Sequence, residues 1–521
     1  MKIKILILLA LLSTLPGLAA CGEQVTPTPT PATGLTAIIL VPFTSQEYGI
    51  SGVAPEGWVE IAPGEFLRGM PDVDLTFLQH QFVPDITSEQ LIATFVSEQG
   101  LEEFPESVGS IETAHFTWDL CTVEVEQPKI GTTTVDIALA ETDAGVYAVA
   151  LQAMSHEYDA LHDAVFIPAV EVLAPLVVTE DTPADRAAVT LPERTYWPTD
   201  GWRTSTPEEQ GMDSELLTEM LAYIQENRVR IDSVAIVRHG YLVLDAYFHN
   251  YEKDSKHDLW SCTKSVTSAL VGIAIDQGYI QSADQPVLSF FPERTVANLD
   301  TRKEALTLEH LLTMTDGLDW LTKDIRSVST GDTWPEMRQS GDWVQFVLDR
   351  SMAEEPGVRW YYNDGASHLL SVIIQETTGM TALEFAEKHL FDPLGISEAM
   401  WPSDPQGRNC GGTYLRMTPH DMAKFGYLYL NEGLWDGEQI VPTAWVKAST
   451  TNHSPTPGMY YGYQWWVMPW AGYYSAIGGG GQYIVVVPEL DMVGVFTSDL
   501  QPEDAYTPLL LLAFYVIPAA Q

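Results

Sequence analysis

The chain has 521 residues, 45% of them hydrophobic, with 26 Lys+Arg against 71 Asp+Glu and a formal net charge of −45. Its length exceeds one ordinary domain of about 100–200 residues, and its apolar content supports sizeable cores. The acidity excludes nucleic acid as a partner and capture by anionic lipid headgroups through charge alone, because both are polyanions.

Lys2 and Lys4 precede an apolar run over residues 5–12, and small residues follow at Gly17, Ala19 and Ala20. The run is too short to cross a bilayer as a helix. This order of features predicts a secretory signal over residues 1–20. Leu18-Ala19-Ala20-Cys21 is similar to a bacterial lipobox. The resemblance implies cleavage before Cys21, diacylglycerol on its sulfur, and an exported lipoprotein on the outer side of the bacterial cell membrane. Residues 21–34 include alternating Thr and Pro, which favours an extended tether of about 3.1 Å per residue. Cys121, Cys262 and Cys410 allow at most one disulfide, so this is no disulfide scaffold. C-x-x-C and H-E-x-x-H are both absent, so neither a metal nor a cofactor is expected. G-x-S-x-G is absent too, which argues against an α/β-hydrolase elbow.

Residues 35–178 read as a small α+β domain. Residues 35–41 suit a strand. Thr87-Ser88-Glu89-Gln90 offers a capping box to a helix carrying Leu91, Ile92, Phe95 and Val96 and stopped by Gly100. Residues 116–120 and 135–139 alternate as strands, and Asp143-Ala144-Gly145 turns the chain into a further strand at 146–151. Residues 158–176 read as a closing helix interrupted near Pro168. The segment Ala54-Pro55-Glu56-Gly57-Trp58 faintly resembles the small PsbP/Mog1-type sandwich. Arg68 and Lys129 are the domain's two Lys or Arg residues, and it has no convergent catalytic set, so its expected role is structural or partner-binding. Residues 179–200 read as a Pro-, Asp- and Thr-rich linker.

The second domain is expected over 201–521. Residues 212–227 are helical in pattern. Residues 234–237 and 242–248 are strands around Arg238-His239-Gly240, and strands return at 483–487 and 492–497. The sheet is therefore completed by pieces distant in sequence.

Ser261-Cys262-Thr263-Lys264 precedes Val266, Leu270, Ile273 and Ala274 at helical spacing, and Gly278 ends the run. Residues three apart are neighbours on a helix, so Lys264 reaches the Ser261 hydroxyl. An apolar pocket disfavours a charged ammonium and suits Lys264 to act as a base. Tyr361-Tyr362-Asn363 offers a phenol to relay a proton and an amide to hold Lys264 or a substrate carbonyl. Tyr429-Leu430-Asn431 has the same spacing but sits in an apolar run and reads as core. Ala476-Ile477-Gly478-Gly479-Gly480-Gly481 lets substrate approach the backbone, where an N–H beside that of Ser261 would complete an oxyanion hole. Tyr460, Tyr461, Trp465, Trp466, Trp470, Tyr473 and Tyr474 either line an acyl pocket or fill the core, and Trp320 and Trp334 either roof the cleft or do the same.

In this order the elements resemble the beta-lactamase-related serine hydrolases: class C beta-lactamases, DD-peptidases, carboxylesterases and 6-aminohexanoate-dimer hydrolases. The segments Thr307–Leu318 and Tyr461–Trp466 look like the family as well. The resemblance implies an antiparallel sheet flanked by helices, with a helical subdomain. It implies Ser261 as nucleophile, Lys264 as its base, Tyr361 as acid/base, Asn363 and Gly478 beside the substrate, and the Gly479 N–H as second oxyanion donor. The family's third motif usually carries Lys or His where this chain has Ala476. A charge-assisted contact of that kind is worth roughly 1.5–3 kcal/mol, so its loss points to neutral esters or amides. The rival readings are a DD-peptidase or beta-lactamase, and a non-catalytic envelope binding protein on the same fold.

Overall fold

The computed structural model describes residues 38–71, 73–99, 107–127, 131–176, 194–322, 333–456 and 460–521. Cys21, the signal and tether, Gly100 and Lys129 lie outside them. The chain divides into two units, Met1–Ala184 and Asp185–Gln521.

The first unit is sheet-rich. Its strands are β1 (Leu40–Ser45), β2 (Ile50–Pro55), β3 (Val59–Ala62), β4 (Glu65–Leu67), β5 (Phe77–Pro84), β6 (Gly109–Glu112), β7 (Thr117–Gln127), β8 (Gly131–Thr142), β9 (Gly145–Met154) and β10 (Ala174–Pro175). Seven form one sheet in the order β3-β4-β5-β9-β8-β7-β6, and β1-β2-β10 form another. The expected turn is present, with Thr142 paired to Gly145. A Cβ on Gly145 would lie 2.2 Å from the Val83 carbonyl oxygen, so glycine is required there. Helix α1 (Ser88–Gln99) opens with the expected reciprocal cap. Thr87 N–H donates to Gln90 Oε1 at 3.1 Å, and Gln90 N–H to Thr87 Oγ1 at 3.3 Å.

The closing helix runs from Tyr158 to Val172 and passes through a widened turn at His162–Phe166. Ile167 N–H bonds the His162 carbonyl five residues back, and Pro168, with no N–H to offer, follows. The helix stops short of the expected 176 because Ala174 and Pro175 join β2. Its inner face buries Leu161, Val165, Phe166, Ala169 and Val170 with Phe116 and Trp118.

The second unit begins before Gly201, a correction to the expected linker. Arg194 donates to Asp491 Oδ1 at 2.6 Å and Oδ2 at 2.7 Å, and to Asn431 Oδ1 at 2.7 Å. Trp197 packs 5.2 Å from Trp435. Polar residues read as a linker are tied down here by a bidentate ion pair.

Helix α2 (Ser214–Glu226) starts at an Asp213 cap. Strands β11 (Ile231–Arg238) and β12 (Tyr241–Tyr247) flank His239 and Gly240, both at positive φ (51° and 83°), the backbone a tight hairpin turn needs. Then come β13 (His257–Asp258), α3 (Cys262–Asp276), α4 (Leu308–Leu312), α5 (Asp364–Thr378), β14 (Arg416–Met417), α6 (Pro419–Leu430), β15 (Leu434–Trp435), β16 (Glu438–Gln439), β17 (Trp466–Met468), β18 (Tyr473–Gly478), β19 (Gln482–Val487) and β20 (Met492–Ser498). The main sheet has the order β12-β11-β20-β19-β18-β17, so the late β20 lies against the early β11.

Helix α3 is buried on every face from Cys262 to Ala274. A helix buried all round lies between layers, and α3 touches both β18 and α5. A Cβ on Gly272 would sit 2.4 Å from the Trp445 ring, which is itself fixed by an Nε1–H bond to the Ser268 carbonyl at 3.0 Å. Gly272→Ala is therefore expected to destabilise the unit by about 1–3 kcal/mol, against the usual helix preference for alanine. A thermal melt checks this, and an unchanged or raised Tm would contradict it.

Candidate active site

Three chain segments converge on Ser261. The first is α3, with Ser261 as its N-cap residue at φ −72°. The loop before it is pinned. Leu259 N–H donates to the Leu415 carbonyl at 2.8 Å, and Trp260 N–H to Asp258 Oδ1 at 2.9 Å. Trp260 stands in the left-handed region at φ 45° and exposes 41% of its surface. Backbone strain in a bulky residue persists only where its surroundings enforce it.

Lys264 lies one turn on, with its side chain 1% exposed. Its Nζ donates to Ser261 Oγ at 3.0 Å, Asp364 Oδ1 at 2.6 Å and the Gly412 carbonyl at 2.8 Å. These contacts match the three protons of an ammonium.

The second segment is Trp360-Tyr361-Tyr362-Asn363 leading into α5. Tyr362 is 6% exposed, and its ring centroid is 4.8 Å from Lys264 Nζ. Burial holds the Tyr362 hydroxyl well above the usual phenol range and Asp364 adds to this, while a hydrogen bond with Ser261 opposes it. The phenol is therefore neutral at neutral pH and can donate as well as accept. Tyr362 packs with Met314, Trp360 and Tyr461, and Trp466 lies against them.

The third segment is the β18–β19 turn. A Cβ on Gly478 would lie 2.2 Å from the Leu259 carbonyl, and one on Gly479 would lie 3.5 Å from the Trp260 ring. Glycine thus lets β18 end against the chain that delivers Ser261. Ser498 Oγ donates to the Gly480 and Gly481 carbonyls at 2.8 and 2.6 Å, and holds the turn. The arrangement sets a hydroxyl, an ammonium and a neutral phenol beside a glycine turn, which is the equipment of acyl transfer through serine.

The family profile of the beta-lactamases matches residues 209–513. The chain belongs to the beta-lactamase family. It is 23% identical over 318 residues to the 6-aminohexanoate-dimer hydrolase of Paenarthrobacter ureafaciens, covering 58% of this chain and 81% of that one. It is 26% identical over 157 residues to the lovastatin esterase of Penicillium rubens, covering 27% and 39%. A solved Bacillus anthracis structure bearing the 6-aminohexanoate-dimer hydrolase name aligns with TM-score 0.50 at 22% identity, over 58% of this chain and 83% of that one, and it shares the fold.

Within this beta-lactamase-family unit, the sequence-derived second motif moves by one residue. Tyr361 is half-buried, with its ring 5.8 Å from the Arg359 guanidinium, while Tyr362 meets Lys264. Asn363 does not hold Lys264. Its Oδ1 accepts from Ala366 N–H at 3.1 Å as the N-cap of α5, and its Nδ2 donates to Asp316 Oδ1 at 3.0 Å. Asp364 holds the lysine instead. Two adjacent tyrosines leave the register open, but an asparagine directly before a buried helical run is a capping signal that already commits its side chain. Asp316 and Gly412 carried no such signal, because tertiary packing alone brings them here. Tyr429 is core, 1% exposed and 4.5 Å from Trp465. Trp320 and Trp334 are buried in the core at 3% and 5% exposure. Ala476 pairs with Ile484 on β19, so β18 offers no cation at that position.

Asp316 is fully buried beside the Asn363 cap. Burial pushes its carboxyl up from 3.8 to about 6, against hydrogen bonds from Leu318 and Asn363. The folded chain therefore keeps this proton to higher pH than the unfolded chain does. Wild-type stability relative to Asp316→Asn is expected to fall as pH rises from about 4 to about 6, by on the order of 3 kcal/mol, and to stay level above that. Denaturant titrations across pH 4–8 read this difference, and a pH-independent gap would contradict it.

Proposed function

We propose that this chain is a serine hydrolase that cleaves neutral ester or amide bonds through an acyl-enzyme on Ser261. The observation that supports it most directly is the buried Lys264 Nζ at 3.0 Å from Ser261 Oγ with the Tyr362 ring against it. Ser261 attacks the carbonyl while its proton leaves through Lys264. The oxyanion forms between the Ser261 and Gly479 N–H groups. Tyr362 gives its proton to the leaving group and then helps water release the acyl group.

The chemistry of β18 supports a neutral substrate. Ala476-Ile477-Gly478 offers no cation to a carboxylate, which weighs against D-Ala-D-Ala peptides and beta-lactams. The 6-aminohexanoate-dimer hydrolase and lovastatin esterase names of two relatives agree with amide or ester cleavage. Export and anchoring through Cys21 complete the proposal and place the substrate outside the cell. The first unit is proposed as a partner-binding or spacing element.

Hydrolysis of p-nitrophenyl butyrate by the full chain tests the reading. Ser261→Ala is expected to lose at least about 10³-fold in kcat/KM. Failure of the wild-type chain to exceed that variant, together with stable labelling by fluorescent penicillin, would overturn it in favour of a penicillin-binding role. The tyrosine assignment is tested separately. Tyr362→Phe is expected to lose about 10²-fold or more in kcat, while Tyr361→Phe stays within about threefold. The reverse ranking would restore Tyr361.

A further inference from the structure

Lys264 has three protons and three acceptors: Ser261 Oγ at 3.0 Å, the Gly412 carbonyl at 2.8 Å and Asp364 Oδ1 at 2.6 Å. An ammonium so placed has no lone pair with which to take the Ser261 proton. It accepts that proton only if it releases another in the same step. Of its other two acceptors, a backbone carbonyl does not hold a proton in water-like chemistry, and a carboxylate does.

We propose that Asp364 is the terminal proton acceptor of the acylation step, acting through Lys264. This rests on the serine hydrolase reading. Ser261 Oγ forms its bond to the substrate carbonyl carbon, and the carbonyl π pair moves onto oxygen. The Ser261 proton passes to Lys264 Nζ as a Lys264 proton passes to Asp364 Oδ1. Lys264 is an ammonium before and after; the group whose charge changes is Asp364. When the intermediate collapses, Asp364 returns its proton to Lys264, Lys264 replaces the proton that Tyr362 gives to the leaving group, and the site is restored.

The surroundings favour this division of labour. Asp364 is the first residue of α5, where the helix dipole favours a carboxylate. Its side chain is 18% exposed. Among the described residues, the titratable groups facing the pair are the phenols of Tyr362, Tyr461 and Tyr414 and the thiols of Cys262 and Cys410. Burial raises all five, so they stay neutral and do not compete as bases near neutral pH. Tyr414 in turn faces Arg338 and Asp258. Gly412 closes the pair in from the third side. A Cβ there would lie 3.3 Å from Lys264 Nζ and 3.4 Å from Asp364 Oδ1.

The test is the pH dependence of kcat/KM for p-nitrophenyl butyrate, measured on the full chain and on Asp364→Asn, with Ser261→Ala as background. In the wild-type chain Lys264 need not lose its charge, so the profile is expected to be flat from about pH 6 to about pH 8. In the Asn variant Lys264 must first give up a proton to water. Its profile is expected to climb over that range by about tenfold per pH unit, and to reach a plateau at alkaline pH within about tenfold of wild type. Asp364→Glu, which restores a carboxylate, is expected to return the flat profile. Should the Asn variant lose its cooperative melting transition, Asp364→Ser is read in its place. Identical profiles in wild type and a folded variant overturn the proposal. So does a folded variant inactive at every pH, since Lys264 alone should serve once deprotonated. Activity surviving in Ser261→Ala would instead remove the serine hydrolase reading itself.

Discussion

The buried charge of Lys264 is the constraint around which the second unit is arranged. With 1% of its side chain exposed, it has lost nearly all its hydration, and an uncompensated ammonium at such depth costs several kcal/mol or more. Compensation comes from three directions and three distant parts of the sequence: Ser261 one turn back on α3, Asp364 at the start of α5, and the Gly412 carbonyl. Asp364 and Gly412 each require a separate segment to be brought to hydrogen-bond distance of Lys264. The folding problem of the unit and the chemistry of the site are therefore largely one problem.

The glycines show how tight that placement is. A Cβ on Gly411 would lie 2.0 Å from the Ser367 carbonyl, and one on Gly478 would lie 2.2 Å from that of Leu259. The 410–415 segment threads between α3 and α5, held by Thr267 Oγ1 to the Gly411 carbonyl at 2.8 Å and by Leu415 N–H to Thr263 Oγ1 at 3.3 Å. The Thr263 and Thr267 hydroxyls of α3 thus serve as fasteners for the segment that brings in Gly412. This explains why a helix in the core carries Thr263 and Thr267, both buried, on faces where aliphatic residues would otherwise pack. Ser265 Oγ reaches the Gln464 carbonyl at 2.7 Å, and Gln464 Nε2 bonds the Leu311 and Leu312 carbonyls at the end of α4. Buried polar groups joined in this way specify one arrangement of elements more sharply than apolar contacts do.

Local chemistry made part of this legible. Ser261 and Lys264 share one helical turn, so their meeting is fixed by backbone geometry alone, and the Gly478–Gly481 run could hardly be anything but a close approach or a turn. The Tyr-Tyr-Asn segment was legible in place but not in register. Which of two consecutive side chains faces inward depends on where α5 begins, and α5 begins where Asn363 caps it. Asp364 was hidden for the opposite reason. An acidic residue in the first turn of a helix is ordinary, and nothing local distinguishes one that faces solvent from one that faces a buried lysine. The same limit applied to Arg194, whose partner Asp491 lies almost three hundred residues away.

The acid that meets Lys264 also bears on what the cleft accepts. Among the described residues, Lys264 is the cation that bonds Ser261, and its charge is matched by Asp364 at 2.6 Å. With alanine at the β18 position, that strand adds no cation to attract a carboxylate. On the proposed reading, charge developing on the substrate oxygen is met by backbone N–H groups, whose dipoles are fixed by the turn and do not reorganise. On the same reading, the remaining atoms of a neutral substrate would be held by apolar contact, for which Trp466 beside the phenol and the exposed Trp260 beside Gly479 are the candidates.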